Sequence, residues 1–190
     1  MRKIFFSLFT ALVCSAGVAH AQLEKGNVII GGHLANMGFG LGEKSSFSLG
    51  ISPQVGYFVE DNIVLGGKVG LGYQTVESEG NIFDYGINAF GRYYLEPGEK
   101  GVKTLLNHGR FFGEMGVGIA GTNGASLGFN FNIGPGYAYF ITPNVALEGL
   151  LKYNGTFGAG SSNGLGFNLG FQIHLPSGKL KQMKENPSSL

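Results

Sequence analysis

Gly164–Leu175 reads GLGFNLGFQIHL. Leu165, Phe167, Leu169, Phe171, Ile173 and Leu175 alternate with Gly166, Asn168, Gly170, Gln172 and His174. Successive side chains of an extended strand point to opposite faces, so this period of two makes one face large and apolar and the other small or polar. What that apolar face meets depends on whether the rest of the chain repeats the pattern and on where the charges fall.

The pattern recurs over Ser46–Val59, Ile63–Val76, Ile82–Leu95, Gly109–Gly121, Ser126–Ile141 and Val145–Gly158. Gly26–Gly40 is less regular. Val28, Ile30 and Leu34 share a face there, but Met37 and Phe39 fall on the other, which predicts a bulge near Asn36. Phe58, Phe90 and Tyr94 are large residues on the otherwise small or polar face. Glu60-Asp61-Asn62 and Thr142-Pro143-Asn144 read as tight turns, and Glu77–Asn81 as a short polar turn. Glu96–His108 is the longest connection, with room for a helical turn at Lys100–Asn107. Segments of about 10–14 residues exceed the usual globular strand of about 5–6 and reach the roughly 9–11 that cross hydrocarbon. An even number of strands in up-and-down order predicts an all-β, eight-stranded antiparallel transmembrane β-barrel.

Composition agrees. Of 190 residues, 13% are charged, about half the usual share for a soluble domain, while 13% are aromatic and 35 are Gly. The 43% hydrophobic content argues against disorder. Arg2 and Lys3, the apolar Ile4–Val13 and Ala19-His20-Ala21 read as a secretory signal peptide spanning 1–21, cleaved before Gln22. Cys14 lies within it, after Val13 rather than the small residue a lipid-anchor signal wants, so no disulfide or thiol chemistry is expected. Without Arg2 and Lys3, 11 basic and 12 acidic residues give a formal charge of −1, and nothing suggests nucleic acid. The barrel is expected over 22–175 and a polar tail over 176–190.

The charges choose the faces. Lys68, Asp84, Arg92, Glu114, Glu148 and Lys152 lie well inside strands, and all fall on the Gly/Asn/Ser face. A soluble barrel with the apolar face inward would expose a surface of Gly, Ser and Asn with too few charges. Turning the faces round puts charges and small residues in the lumen and aromatics toward lipid. Tyr73, Phe83, Tyr85, Phe129, Phe131, Tyr153 and Phe157 then gather at one rim. Tyr57, Tyr93, Phe111, Tyr137 and Tyr139 gather at the other, with aliphatic residues such as Ile51, Val69 and Leu151 between. Two aromatic girdles are the signature of a barrel in a bilayer.

Over Gly26–Leu175 the chain resembles the small eight-stranded outer-membrane barrels of Gram-negative bacteria, of the OmpX and OmpA-transmembrane-domain type. The expected partners are outer-membrane lipid and the barrel-assembly machinery, the expected state is a monomer, and strand order and turn lengths predict both termini in the periplasm. Asn168, Gly170, Ile173 and Leu175 match the family's C-terminal assembly signal, although here the chain runs on to Leu190. That tail is too short for a peptidoglycan-binding domain.

No cofactor, metal or catalytic residue is expected. Arg92 and Glu114 should lie nearly opposite on neighbouring strands, and the six strand charges read as a lumen ion-pair network, because buried charges must be paired. Gln54, His33 and His174 read as lumen or rim polar residues. No carboxylate with suitable spacing accompanies the histidines for a metal or catalytic site. Gly116–Gly121 matches a dinucleotide-loop pattern but is followed by a strand rather than a helix. Barrel enzymes carry Ser/His or Asp/His clusters near the outer rim, whereas the connections Gly42–Ser45, Glu77–Asn81, Thr122–Ala125 and Gly158–Asn163 hold neither His nor Asp. The expected role is therefore structural, in envelope integrity, with a largely plugged lumen. The alternatives are a narrow pore or small-ligand transport barrel and, behind them, surface recognition by the outer loops.

Overall fold

The computed structural model describes residues 23–41, 45–76, 80–96, 109–123, 127–158 and 162–177, with the side chains of 35–48, 76–80 and 162 left undescribed. The signal segment with Cys14, the helical turn at Lys100–Asn107 and the tail beyond residue 177 lie outside the described residues, as do parts of the short connections.

The strands are β1 (Val28–Leu41), β2 (Ser45–Glu60), β3 (Ile63–Val76), β4 (Gly80–Tyr94), β5 (Gly109–Thr122), β6 (Gly128–Thr142), β7 (Val145–Phe157) and β8 (Ser162–Leu175). Each pairs antiparallel with the next, and β8 returns to β1 to close the barrel. The seam runs Val28–Leu34 against Leu169–Leu175. β1 shifts register against β2 between Ala35 and Gly38, where the parity of the sequence breaks. The turn at Glu60–Ile63 works because Asn62 takes a left-handed conformation (φ 64°), which asparagine tolerates at low cost. Thr142 Oγ1 accepts the backbone N–H groups of Asn144 and Val145, which folds the β6–β7 turn.

Both ends of the described chain lie at one rim, here the terminal rim. Beneath it the segment ahead of β1 is tied down: Asn62 N–H donates to Leu23 O, and Gly26 N–H to Phe58 O. Lys25 pairs with Glu60 at 2.7 Å, and this hydrogen bond raises the ammonium above its usual range. The pair is exposed, so it contributes little to stability.

The stagger of the strands sets the bore. A row of partners runs from Ile29 through Gly56, Gly66, Phe90, Gly116, Asn132 and Asn154 to Gly164. Against the Leu34–Leu169 pair of the seam, that row has climbed by about ten residues in one circuit. With residues about 3.3 Å apart along a strand and strands about 4.8 Å apart, the tilt is about 40°, usual for a closed barrel.

The outer wall is apolar. Leu165, Ile87, Met115, Phe167 and Leu127 are among its most exposed side chains. Phe83 and Tyr85 stack at 6.5 Å and Phe131 and Phe157 at 5.6 Å toward the far rim, while Phe111 and Tyr137 meet at 4.8 Å near the terminal rim. Pro53 and Pro135 interrupt the β2–β3 and β6–β7 ladders, because proline has no N–H to donate. Beside them, outward glycines leave shallow apolar grooves of about 730 and 530 Å³ on the wall.

Inward glycines make room for rings. A side chain at Gly136 would run into the ring of Phe112, and one at Gly66 into the ring of Phe90. Gly164 has open space instead. Replacing Gly136 with Val should therefore destabilise the barrel by about 1–3 kcal/mol through overpacking. Gly164→Ala should stay within about 0.5 kcal/mol of wild type. Urea unfolding from lipid vesicles, followed by circular dichroism because the chain has no tryptophan, measures both; equal effects would refute the steric account.

Candidate functional site in the barrel lumen

The inward face is layered along the axis. Nearest the terminal rim it is apolar: Ile29, Phe58, Val64, Tyr94, Phe112 and Leu150 are almost completely buried, with Phe140 beside them. Their rings associate, Phe58 with Tyr94 at 6.0 Å and Tyr94 with Phe112 at 5.5 Å. His174 lies in the same floor, 5.2 Å from the Phe140 ring and 6.1 Å from that of Phe58. The large residues that interrupt the small and polar inner face are thus not isolated exceptions at this end of the lumen. The inward-pointing Phe58 and Tyr94 belong to this apolar floor, because a narrow bore leaves no water layer to solvate polar groups there, while Phe90 lies higher, its ring facing Lys68 and Arg92.

The charged groups lie directly above this floor. One row of partners carries Phe58, Val64, Arg92, Glu114 and Gly134 across five strands, so Arg92 and Glu114 are direct neighbours. Arg92 is the hub. Its Nη2 and Nε donate to Glu114 Oε2 at 2.7 and 3.1 Å, and its Nη1 donates to Glu148 Oε1 at 2.7 Å. The same Nη1 donates to the Tyr94 hydroxyl at 2.9 Å, and the guanidinium lies 4.1 Å from the centre of the Phe112 ring. A planar fork of donors suits this task, since it meets two carboxylates and an aromatic face together. Glu114 also accepts from Lys68 Nζ at 2.6 Å, and that ammonium sits 5.2 Å over the ring of Phe90. Lys152 stands next to Lys68, with the Asn168 amide oxygen 2.9 Å away once that amide is turned to satisfy both its atoms.

Two placements depart from the sequence reading. Asp84 does not join the cluster. It is exposed toward the far rim and accepts a hydrogen bond from Thr122 Oγ1 at 2.8 Å. Two alternate residues, Gly86 and Asn88, separate it along β4 from the level of Phe90 and Arg92, and no side chain reaches that far. His33 does have a carboxylate nearby: its Nε2 is 3.3 Å from Glu148 Oε2, close enough to pair when protonated but not aligned as a hydrogen bond. The two residues lie on β1 and β7, both paired to β8, where Gly170 is the partner of each. A side chain at Gly170 would run into the His33 ring, so the glycine lets the imidazole reach Glu148, and only closure of the barrel brings the two together. Gln54 and Gln172 are buried in the lumen, and their amides find no partner among the described residues.

No cluster of three or more His, Cys, Asp or Glu with metal-holding geometry occurs among the described residues. The arrangement is electrostatic: two carboxylates bridge Lys68 of β3 and Arg92 of β4 across the bore, with His33 of β1 beside Glu148. Removing one partner of such a buried set strands the others. Glu114→Gln leaves Lys68 and Arg92 short of a counter-charge and should cost about 3–5 kcal/mol. Asp84→Asn should change stability by no more than about 0.5 kcal/mol. The same urea unfolding decides, and similar losses for the two variants would contradict the geometry.

No protein-family model matches the sequence, and no curated protein matches it. Solved structures do match. Neisserial surface protein A aligns at a TM-score of 0.55 and 16% identity, covering 79% of this chain and 96% of its own. The outer membrane protein OprG of Pseudomonas aeruginosa aligns at 0.52 and 10%, covering 84% and 99%. The outer membrane protein Ail of Yersinia pestis aligns at 0.50 and 12%, covering 80% and 100%. At such identities the likeness shows the fold: this chain has the architecture of the small eight-stranded outer-membrane β-barrels, the type its sequence resembles.

Proposed function

We propose that this protein is an integral outer-membrane barrel of structural, envelope-integrity type, closed to ion flow at its waist. The observation that carries this reading is the continuous filling of the bore. Arg92, Glu114 and Glu148 are each about 2% exposed and bonded across the axis, and Tyr94, Phe58 and Phe112 pack beneath them with almost no exposure. A conducting path needs water, and little room for it is left among these groups. The exposed apolar wall supports insertion in lipid, since so large an apolar surface is not sustained in water. On this reading the N-terminal 21 residues are a cleaved signal, the terminal rim faces the periplasm, and Asn168, Gly170, Ile173 and Leu175 present the assembly signal on the closing strand. The barrel acts as a monomer held in outer-membrane lipid. No catalytic role is assigned: the lumen histidines stand apart, one against Glu148 and one in the aromatic floor.

A second reading, a narrow pore or small-ligand barrel, draws on a cavity of about 170 Å³ in the far half of the lumen, lined by residues including Ser52, Gly70, Gly72, Asp84 and Asn88. Planar-bilayer recording separates the two. Wild type should show no steady conductance. The Phe58→Ala, Tyr94→Ala, Phe112→Ala triple variant should open a measurable one, provided that gel mobility before and after heating shows it folded. A steady, large conductance in wild type would overturn the closed-lumen reading.

A further inference from the structure

The buried cluster does not balance. Lys68, Arg92 and Lys152 face two carboxylates, Glu114 and Glu148, and both carboxylates are already shared. Glu114 holds Lys68 and Arg92, while Glu148 holds Arg92 and faces His33. Lys152 is 8% exposed, and no carboxylate lies within ion-pair distance of it among the described residues. Its neighbour is a second buried ammonium, Lys68, at 5% exposure. Glu60, at the end of β2, pairs with Lys25, and Asp84 is engaged with Thr122 near the far rim. Two ammonium groups side by side with one surplus charge are strongly unfavourable in a low-dielectric bore unless a counter-charge is supplied.

The geometry also says from which side a counter-charge would come. The aromatic floor closes the lumen below the cluster, while the cavity of about 170 Å³ lies in the half above. Asp84 is the one charged residue of its lining, and the cavity reaches the level of the lysines through Asn88, the strand partner of Lys68. Amides stand around the same level: Asn132 lies 3.5 Å from Lys68 Nζ, and the side-chain oxygens of Asn88 and Asn130 are buried without a partner. Ammonium donors below and amide acceptors around suit an anion that also carries a hydroxyl.

We propose that the far half of the lumen is a blind vestibule that binds a small hydroxylated oxyanion, of phosphate or short hydroxy-acid type, on the Lys68–Lys152 pair. This stands apart from the structural reading above: a barrel can be closed to ions and still hold an anion from one side, and a barrel that conducts could still lack the site.

The test titrates inorganic phosphate into the barrel refolded in lipid nanodiscs, with calorimetry and the Nζ signals of 15N-labelled lysine as readouts. Wild type should bind saturably, one anion per barrel, with Lys152 Nζ shifting on binding. Lys152→Met keeps the apolar stem and removes the surplus charge. It should fold with unchanged or higher stability and bind about tenfold more weakly or worse, the loss of one charged contact. Asp84→Asn, which removes the like charge from the vestibule, should bind at least as tightly as wild type and gives a second readout if Lys152→Met does not fold. Absence of saturable binding overturns the proposal. So does a Lys152 amine that is neutral at pH 7 and unmoved by phosphate, or unchanged affinity in Lys152→Met.

Discussion

In hydrocarbon every backbone N–H and C=O must find its partner within the protein, so a sheet can cross lipid only if its edges are closed. That demand falls on one seam here, Val28–Leu34 against Leu169–Leu175. The stagger needed to make it sets the tilt, the tilt sets the bore, and the bore decides which side chains fit inside. The inward Gly66 and Gly136 follow from this. They sit beside the rings of Phe90 and Phe112, which could not otherwise share so narrow a cross-section.

Within that bore Arg92 organises the electrostatics. A single guanidinium joins Glu114 on the neighbouring strand, Glu148 on a strand across the bore, the Tyr94 hydroxyl and the Phe112 ring. Lys68 and His33 extend the set to β3 and β1. Such a network ties non-adjacent strands together, which ladders between neighbours cannot do. Burying it on an aromatic floor makes each bond stronger and each missing partner more harmful. The surplus ammonium of Lys152 stands out for that reason: Lys68, Arg92, Glu114 and Glu148 each have an oppositely charged partner at 2.6 or 2.7 Å.

The apolar wall carries its own adjustments. Pro53 and Pro135 each break a ladder within the wall, and the glycines opposite them, Gly32 and Gly113, leave the wall shallow at that level. Proline on an outward position gives up one backbone bond without placing a polar side chain in lipid.

Strand number, up-and-down order, the first-strand bulge and the choice of lipid-facing side were legible in the sequence, because alternation is a local property and a misplaced charge is expensive enough to reveal its face. Phe58, Phe90 and Tyr94 were visible as exceptions to the pattern. That Phe58 and Tyr94 join Phe112, Phe140 and Leu150 in one floor, with Phe90 higher against Lys68 and Arg92, was not, since those residues lie tens of positions apart and meet only after closure. Glu114 beside Arg92 could be anticipated from neighbouring strands joined by one connection. His33 beside Glu148 could not, because their separation depends on how β7, β8 and β1 stagger around the seam. Asp84 shows the same limit in reverse: it shares the inward parity of the cluster but not its height. Outside the first strand, the sequence by itself determined which way the strand side chains point. Only the tertiary structure decided which of them meet, because height along the axis is fixed by the shear of the closed barrel and not by any strand alone.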